Sequence, residues 1–156
     1  MSLILEKLLA PAPGQPDQPQ KGRANGRLNI SVVFTTVEAT LAALRKAGAL
    51  ATRLHARIVL LVPQIVPYPL PLTSPPILLD FNERRFRLIA EESAIATTVR
   101  IYLCRDRRDM LEKALPAHSV VVLAGAKRWW PTAESRLARA LRHAGHEVVF
   151  EELSSL

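Results

Sequence analysis

The sequence predicts an α/β fold in which a parallel sheet lies between two layers of helices, a three-layer α/β/α architecture. Two observations carry this prediction. Apolar runs rich in valine and isoleucine alternate with amphipathic segments of helical length along most of the chain, which is typical of repeated strand–helix–strand units. The apolar runs are also uniform rather than alternating in polarity, as expected for strands that are buried on both faces of a sheet.

Five predicted strands alternate with four predicted helices from residue 29 onwards. The strands are rich in β-branched residues and cover residues 29–36, 57–62, 98–104, 119–125 and 147–153. The helices cover residues 38–54, 81–96, 106–115 and 132–144. Asp106 and Thr132 are expected N-caps, and Gly145 suits the position after the last helix. The predicted buried face of the first helix contains Leu41, Leu44, Gly48, Ala51 and Leu54.

An uncharged stretch, residues 58–79, follows the start of the second strand and is long enough to span a bilayer. Its six prolines exclude a membrane helix, because each proline removes a hydrogen-bond donor and clashes with the preceding turn. We therefore predict a strand followed by a proline-rich loop over residues 63–79. We expect a cytoplasmic protein without membrane insertion.

Residues 1–27 differ from residues 28–156, which form the predicted α/β domain. Residues 3–9 are apolar and predict one or two turns of helix, docked on the body or on another chain, or a disordered segment. Residues 11–27 are rich in proline and glycine and predict a flexible linker. One hypothesis is that this N-terminal region tethers the domain to a membrane protein or to another chain.

The composition limits the chemistry of the protein. The single cysteine, Cys104, excludes an intramolecular disulfide and a cysteine-based zinc site, and we expect it to be an inert core residue. The sequence contains no nucleophile elbow, Walker sequence or zinc-protease helix. We therefore expect no catalytic residue, no metal site and no enzyme activity. The net charge of +7 favours acidic partners, or is simply a solvated basic surface.

The ends of the first and fourth strands form the expected ligand site, because parallel sheets bind ligands where the strand order reverses. Thr35 and Thr36 end the first strand, and Gly125, Lys127 and Arg128 follow the fourth. These residues, together with the hydroxyl of Ser135 at the start of the last helix, are the candidate ligand-binding residues.

Two segments carry a resemblance to a known family. ISVVFTTVEATLAALRKAGALATRLHARIVLLVPQIVPYP looks like an opening strand, helix, strand and proline-rich break, and SVVVLAG followed by ESRLARALRHAGHEVVF looks like a closing strand, helix and strand. On these segments, residues 29–153 resemble the universal stress protein family. The resemblance implies a flavodoxin-like fold of the adenine nucleotide alpha hydrolase type, with strand order 3-2-1-4-5. It also implies a homodimer, often formed through the last strand.

The sequence departs from the ATP-binding branch of that family. Those members have an aspartate after the first strand and a glycine-rich phosphate cradle before the last helix. Here Thr35 stands at the aspartate position, Gly125 is kept, Arg128 stands at the second glycine, and Glu134 replaces the third. A side chain at 128 blocks close approach of phosphate to the backbone, and a carboxylate at 134 repels it. We expect no cofactor, and ATP binding is not favoured.

The segment from Lys127 to Pro131 contains adjacent tryptophans, Trp129 and Trp130. They could stack on an anionic planar ligand, form a contact with a protein partner, or fill the vacated nucleotide pocket. The last helix has arginines at 136, 139 and 142, which are a basic stripe or a solvated face. No nucleic-acid-binding motif accompanies them, so no nucleic acid is expected.

The sequence thus favours a non-enzymatic regulatory or binding module of the stress response, homodimeric, with a degraded nucleotide site. The alternative hypothesis is a nucleotide-binding protein, for ATP or AMP, with an altered basic pocket.

Overall fold

The computed structural model describes residues 4–8, 23–24, 27–65, 97–127 and 129–153. Seven strands are present in this part of the chain: β1 (Ile4–Leu8), β2 (Arg23–Ala24), β3 (Arg27–Val33), β4 (Arg57–Ile65), β5 (Thr97–Cys104), β6 (Val120–Ala126) and β7 (Glu147–Leu153). Three helices accompany them: α1 (Val37–Leu54), α2 (Arg107–Ala114) and α3 (Ala133–His143). The predicted helix over residues 81–96 and most of the predicted proline-rich loop lie outside the described residues.

The sheet has the strand order β1-β5-β4-β3-β6-β7, and every neighbouring pair in this order is parallel. Short strand β2 pairs antiparallel with β3. The five strands predicted from the sequence are β3, β4, β5, β6 and β7. Their spatial order is 3-2-1-4-5, so the predicted α/β fold and its strand order are confirmed.

The core has two parts, one on each face of the sheet. Helix α1 packs on one face through a row of small residues and one leucine, namely Ala39, Ala43, Leu44, Ala47 and Ala51. Helices α2 and α3 pack on the other face through Met110, Leu111, Leu137, Ala138 and Leu141. The buried face of α1 therefore differs from the predicted one, since Leu54 is 51% exposed in the last turn. Among the described residues, no helix is long and apolar enough to cross a membrane.

Side-chain caps set the ends of the helices. Thr36 Oγ1 accepts a hydrogen bond from the N–H of Ala39 at 3.2 Å, so β3 stops at Val33, three residues before the predicted end of this strand. The predicted caps Asp106 and Thr132 are confirmed, because each side chain accepts from the third residue beyond it. Gly145 follows α3 with a φ of 94°, as its position after the helix predicted.

Strand β4 extends beyond its predicted end and includes Pro63, which the sequence placed in the loop. Pro63 pairs in register with Tyr102 of β5. The carbonyl of Leu61 accepts from the N–H of Phe34 at 2.9 Å, so odd-numbered residues of β4 turn their backbone polar groups towards β3. Because β3 ends at Val33, the missing N–H of Pro63 leaves no ladder hydrogen bond unmade.

Strand β1 corrects the prediction of a helical or disordered segment at residues 3–9. Ile4 to Leu8 pair with Thr98 to Tyr102 along the outer edge of β5. An edge strand presents unpaired backbone N–H and C=O groups that bind any extended chain within reach. These five residues therefore form their backbone hydrogen bonds as a strand. The spacing of their apolar residues alone did not predict this.

Candidate functional site

The candidate site lies at the carboxyl ends of β3 and β6, which are neighbours in the sheet. Thr35 joins the two strands, because its Oγ1 donates a hydrogen bond to the carbonyl oxygen of Ala124 at 3.3 Å. Its backbone N–H donates to Oγ1 of Thr40 at 3.2 Å. Thr35 thus links the segment after β3 to the carboxyl end of β6.

Gly125 is buried at the end of β6 and touches the first turn of α3. A Cβ added to Gly125 would lie 2.9 Å from Cβ of Glu134 and 3.1 Å from Cζ of Phe150. Both distances are shorter than ordinary van der Waals contact. Glycine is therefore required here by close packing against Glu134 and Phe150.

The hydroxyl groups of the candidate site are used within the protein. Thr36 Oγ1 caps α1, as described above. Ser135 Oγ donates to the carbonyl oxygen of Thr132 at 2.9 Å, and the Ser135 N–H donates to Thr132 Oγ1 at 3.1 Å. The amino terminus of α3 is thus satisfied by its own Thr132 cap, with the carboxylate of Glu134 in its first turn, where an acidic group is favourable.

Lys127 is exposed, and its Nζ lies 3.8 Å from Oε2 of Glu152 on the neighbouring strand. The backbone N–H of Lys127 donates to the carbonyl oxygen of Leu153 at 3.5 Å. Its charge is therefore partly offset by an exposed carboxylate, a pair that contributes little stability. Arg128 lies outside the described residues.

The two tryptophans project into solvent. The exposed fraction is 102% for Trp129 and 83% for Trp130. The interpretation that one of them fills the vacated nucleotide pocket is wrong, because both indoles are exposed to solvent. Of the three interpretations of these tryptophans given above, stacking on a ligand and contact with a protein partner are compatible with their exposure.

The outer face of α3 is basic. Leu137, Ala138 and Leu141 point into the core, which leaves Arg136, Arg139 and Arg142 exposed. Arg142 also donates to the carbonyl oxygen of Val148 at 3.1 Å, whereas Arg136 and Arg139 form no ion pair within the described chain. The predicted stripe of arginines is therefore exposed on the surface.

A second polar region lies at the opposite end of the sheet. A cavity of about 50 Å³ there has polar lining residues that include Asn29, Ser31, Arg100, His118 and Ser119. A volume of this size holds one or two waters, whereas small-molecule sites have roughly 300 Å³ or more. The cavity is thus too small for a nucleotide.

Two groups in the described chain have shifted pKa values. Burial raises the pKa of the Cys104 thiol to about 11, with help from the negative charges of Asp106 and Asp109. Burial also lowers the pKa of His146, and the neighbouring His118 adds to this effect. A thiol with this pKa is a poor nucleophile. No cluster of three or more potential metal ligands is present among the residues described.

Comparison with known proteins gives structural relatives only. No protein-family model matches the sequence, and no curated protein matches it. A universal stress protein family structure from Burkholderia pseudomallei is 25% identical, with a TM-score of 0.53 over 79% of this chain and 94% of that one. The universal stress protein of Archaeoglobus fulgidus is 11% identical, with a TM-score of 0.58 over 81% of this chain and 95% of that one.

A third structure, a universal stress protein in complex with cAMP, is 15% identical and has a TM-score of 0.51 over 81% of this chain and 97% of that one. The fold thus defines a flavodoxin-like α/β domain. Its candidate site lies at the carboxyl ends of β3 and β6, where the strand order reverses. Within that class the chain is universal stress protein-like, as the resemblance in its sequence predicted.

Proposed function

We propose that the chain is a non-enzymatic, universal stress protein-like regulatory or binding module whose nucleotide site is closed. The observation that carries this proposal is the contact between Glu134 and Gly125, where an added Cβ would lie 2.9 Å from Cβ of Glu134. A phosphate cradle needs glycine backbone that is open to the ligand. Here a carboxylate side chain covers that backbone and repels phosphate.

The internal use of the site's hydroxyl groups supports the same proposal. Thr35, Thr36 and Ser135 each make a hydrogen bond within the protein. Thr35 and Ser135 already donate their hydroxyl protons to carbonyl oxygens, so a phosphate could accept from them only by breaking those hydrogen bonds. The module therefore acts through its surface, where Trp129 and Trp130 form the proposed contact, rather than through a ligand between β3 and β6. A cytoplasmic location and a role in the stress response are part of this proposal.

We also propose a homodimer that forms along the outer edge of β7. Among the described residues, no strand pairs with that edge. The N–H of Glu147 donates to Ser119, and the carbonyl of Leu153 accepts from Lys127, so odd-numbered residues of β7 bond to β6. The backbone groups of Phe150 and Glu152 therefore point outwards, where a second copy of the strand could pair with them. The Val148 carbonyl also points outwards, but it already accepts from Arg142.

An alternative function is nucleotide binding in an altered basic pocket. Lys127 beside the strand ends supplies a cation for it, and a related structure holds cAMP, whose single phosphate needs a smaller cradle than a triphosphate. This alternative requires the first turn of α3 to move away from Gly125.

A thermal-shift titration with ATP, ADP, AMP and cAMP, with and without Mg²⁺, separates the two functions. Ligand bound only to the folded state adds about 2.7 kcal/mol at a hundredfold excess over Kd, so binding is easily detected. We expect no shift with the native protein. A saturable shift with any of the four nucleotides would replace the closed-site proposal with the alternative.

The variant Glu134→Gly tests whether that side chain closes the site, and the exposed Glu112→Gly on α2 is its matched control. If Glu134 is the obstacle, Glu134→Gly shows a nucleotide-dependent shift and Glu112→Gly does not. Turnover of ATP by the purified native protein would contradict its assignment as non-enzymatic.

A further inference from the structure

The adjacent tryptophans Trp129 and Trp130 and the arginines Arg136 and Arg139 are all exposed and lie within residues 129–139; they are here called the Trp–Arg surface. The tryptophans immediately precede the amino end of α3, and the arginines lie on the exposed side of its first two turns. Two large exposed apolar side chains thus lie in the segment that leads into α3, and two exposed cations lie on the first two turns of that helix. Nothing in the proposed closure of the nucleotide site requires this arrangement.

The exposure of the tryptophans is unusual for a structural role. A tryptophan contributes stability by burying its large apolar area, yet Trp129 is 102% exposed and Trp130 is 83% exposed. Adjacent indoles with so little buried area are typical of a contact surface rather than of a fold. Pro131 follows them directly and fixes the φ angle where the loop joins the cap of α3.

The charges of the surface select an anionic partner. Arg136 and Arg139 are exposed and form no ion pair within the part of the chain that the structure describes. Glu134 is the one acidic residue of α3, and it lies against Gly125. The outer face of α3 is therefore positive, in a chain whose net charge is +7.

We propose that the Trp–Arg surface docks on an anionic lipid surface, with both indoles at the level of the headgroups. The indole is apolar and carries one polar N–H, which suits the boundary between headgroups and acyl chains. Such a boundary accepts indoles in any orientation and needs no matching pocket. Anionic headgroups attract the arginines at the same time. This inference deepens the proposed function, because it names the partner of the tryptophan contact.

A nucleic acid fits the same surface less well. Tryptophans that stack on bases do so as platforms in a groove that follows the phosphate backbone, whereas the indole of Trp129 has no supporting contact from the protein. A protein partner would have to supply an apolar pocket for each indole. Of these anionic partners, only the lipid surface can bind neighbouring indoles without a groove or a matching pocket.

The experiment measures binding of the full chain to vesicles of phosphatidylcholine, with and without phosphatidylserine, by co-sedimentation. Because the chain has only two tryptophans, its indole fluorescence reports on Trp129 and Trp130 alone. We expect binding and a blue shift of the emission with phosphatidylserine vesicles, weakening as salt is added. We expect neither with phosphatidylcholine alone.

Variants assign the binding to this surface. Arg136→Gln and Arg139→Gln should each lower the partition coefficient about fivefold. The single variant Arg45→Gln, at an exposed position of α1, removes the same charge and should lower it less. Trp129→Ser/Trp130→Ser should abolish binding, and Leu54→Ser, at an exposed leucine of α1, should not. Circular dichroism of each variant verifies its fold.

Several results would overturn the inference. These are an unchanged emission with phosphatidylserine vesicles, equal binding to phosphatidylcholine, or binding that survives the tryptophan variants. A blue shift with single-stranded DNA or polyglutamate, but not with vesicles, would reassign the surface to those partners. None of these results affects the nucleotide titration, so failure here is distinguishable from failure of the closed-site proposal.

Discussion

The backbone N–H of Ser119 donates a hydrogen bond to Nδ1 of His146 at 3.1 Å, joining the start of β6 to the turn before β7. The bond requires Nδ1 of His146 to be unprotonated. Nearby, a ring nitrogen of His118 lies 3.2 Å from the carbonyl oxygen of Gly145. Burial, and secondly His118, lower the pKa of His146 below 6.5, so the fold favours the neutral imidazole.

This relationship predicts a loss of stability in mild acid. The unfolded chain takes up a proton on His146 as the pH falls through about 6.5, whereas the folded chain resists protonation until a lower pH. The contribution of neutral His146 is therefore complete above pH 6.5 and decreases as the pH falls towards the folded-state pKa. Urea unfolding at a series of pH values should show the free energy of unfolding decreasing over this range.

The variant His146→Asn isolates the cause, because an asparagine side-chain oxygen accepts a hydrogen bond but does not titrate. It should flatten the pH dependence between neutral and mildly acidic pH. His143→Asn, at an exposed histidine at the end of α3, is the matched control and should leave the slope unchanged. An unaltered slope in His146→Asn would assign the dependence to other groups.

Two glycines should respond to alanine with opposite signs. At Gly125 a Cβ would lie 2.9 Å from Glu134 Cβ, whereas at Gly48 nothing lies within 4 Å. Gly125→Ala should cost about 1–3 kcal/mol through overpacking. Gly48→Ala, in the interior of α1, should stabilise by about 0.5–1 kcal/mol, because alanine is the better helix former. Both values come from urea unfolding at neutral pH.

A double-mutant cycle tests the stated contact. Gly125→Ala should cost less in the background Glu134→Gly, since removal of the Glu134 side chain leaves only the contact with Phe150. A coupling energy near zero would mean that Glu134 does not restrict Gly125.

Features that depend on neighbouring residues could be predicted from the sequence, and features that depend on distant ones could not. The caps Asp106 and Thr132 bond within three residues, and strand order followed from the family resemblance. Strand β1 depends on the free edge of β5, about ninety residues away in the chain, and no local pattern encodes that.

The candidate site, too, could be predicted only in part. The sequence predicted that the ends of β3 and β6 meet, and Thr35 Oγ1 does donate to the carbonyl oxygen of Ala124, because adjacent strand ends meet at one edge of a parallel sheet. It did not assign the space beside Gly125 to Glu134, because which side chain fills a space is set by the three-dimensional packing. The one sequence feature that could have indicated this packing was the glutamate at position 134, where the resembling family has glycine.

Cys104 should be unreactive in the folded protein. Its pKa of about 11, against an ordinary value of 9.0, leaves roughly a hundredfold less thiolate at pH 8. Its burial adds a steric barrier. Reaction with a disulfide reagent at pH 8 should therefore be at least about a hundredfold slower in buffer than in denaturing urea. Comparable rates in the two conditions would show that Cys104 is accessible and activated.

The proposed dimer makes a sharp prediction at two adjacent glutamates of β7. Odd-numbered residues of β7, from Glu147 to Leu153, bond to β6. The backbone N–H of Glu151 therefore points towards β6, and that of Glu152 points away from it. Proline lacks the N–H donor, so it is tolerated at an edge position and disrupts an interior ladder. Glu152→Pro should therefore keep the fold and lose the dimer.

Light scattering after size-exclusion chromatography measures the outcome. The native protein should elute with the mass of two chains, and Glu152→Pro with the mass of one, with circular dichroism unchanged. Glu151→Pro should instead lower the free energy of unfolding, by about 3 kcal/mol if the cost resembles that of proline inside a helix. A native protein that is monomeric, or a Glu152→Pro variant that stays dimeric, would exclude the β7 edge as the dimer interface. Pairing along this edge uses the outward N–H of Glu152, which the proline variant lacks.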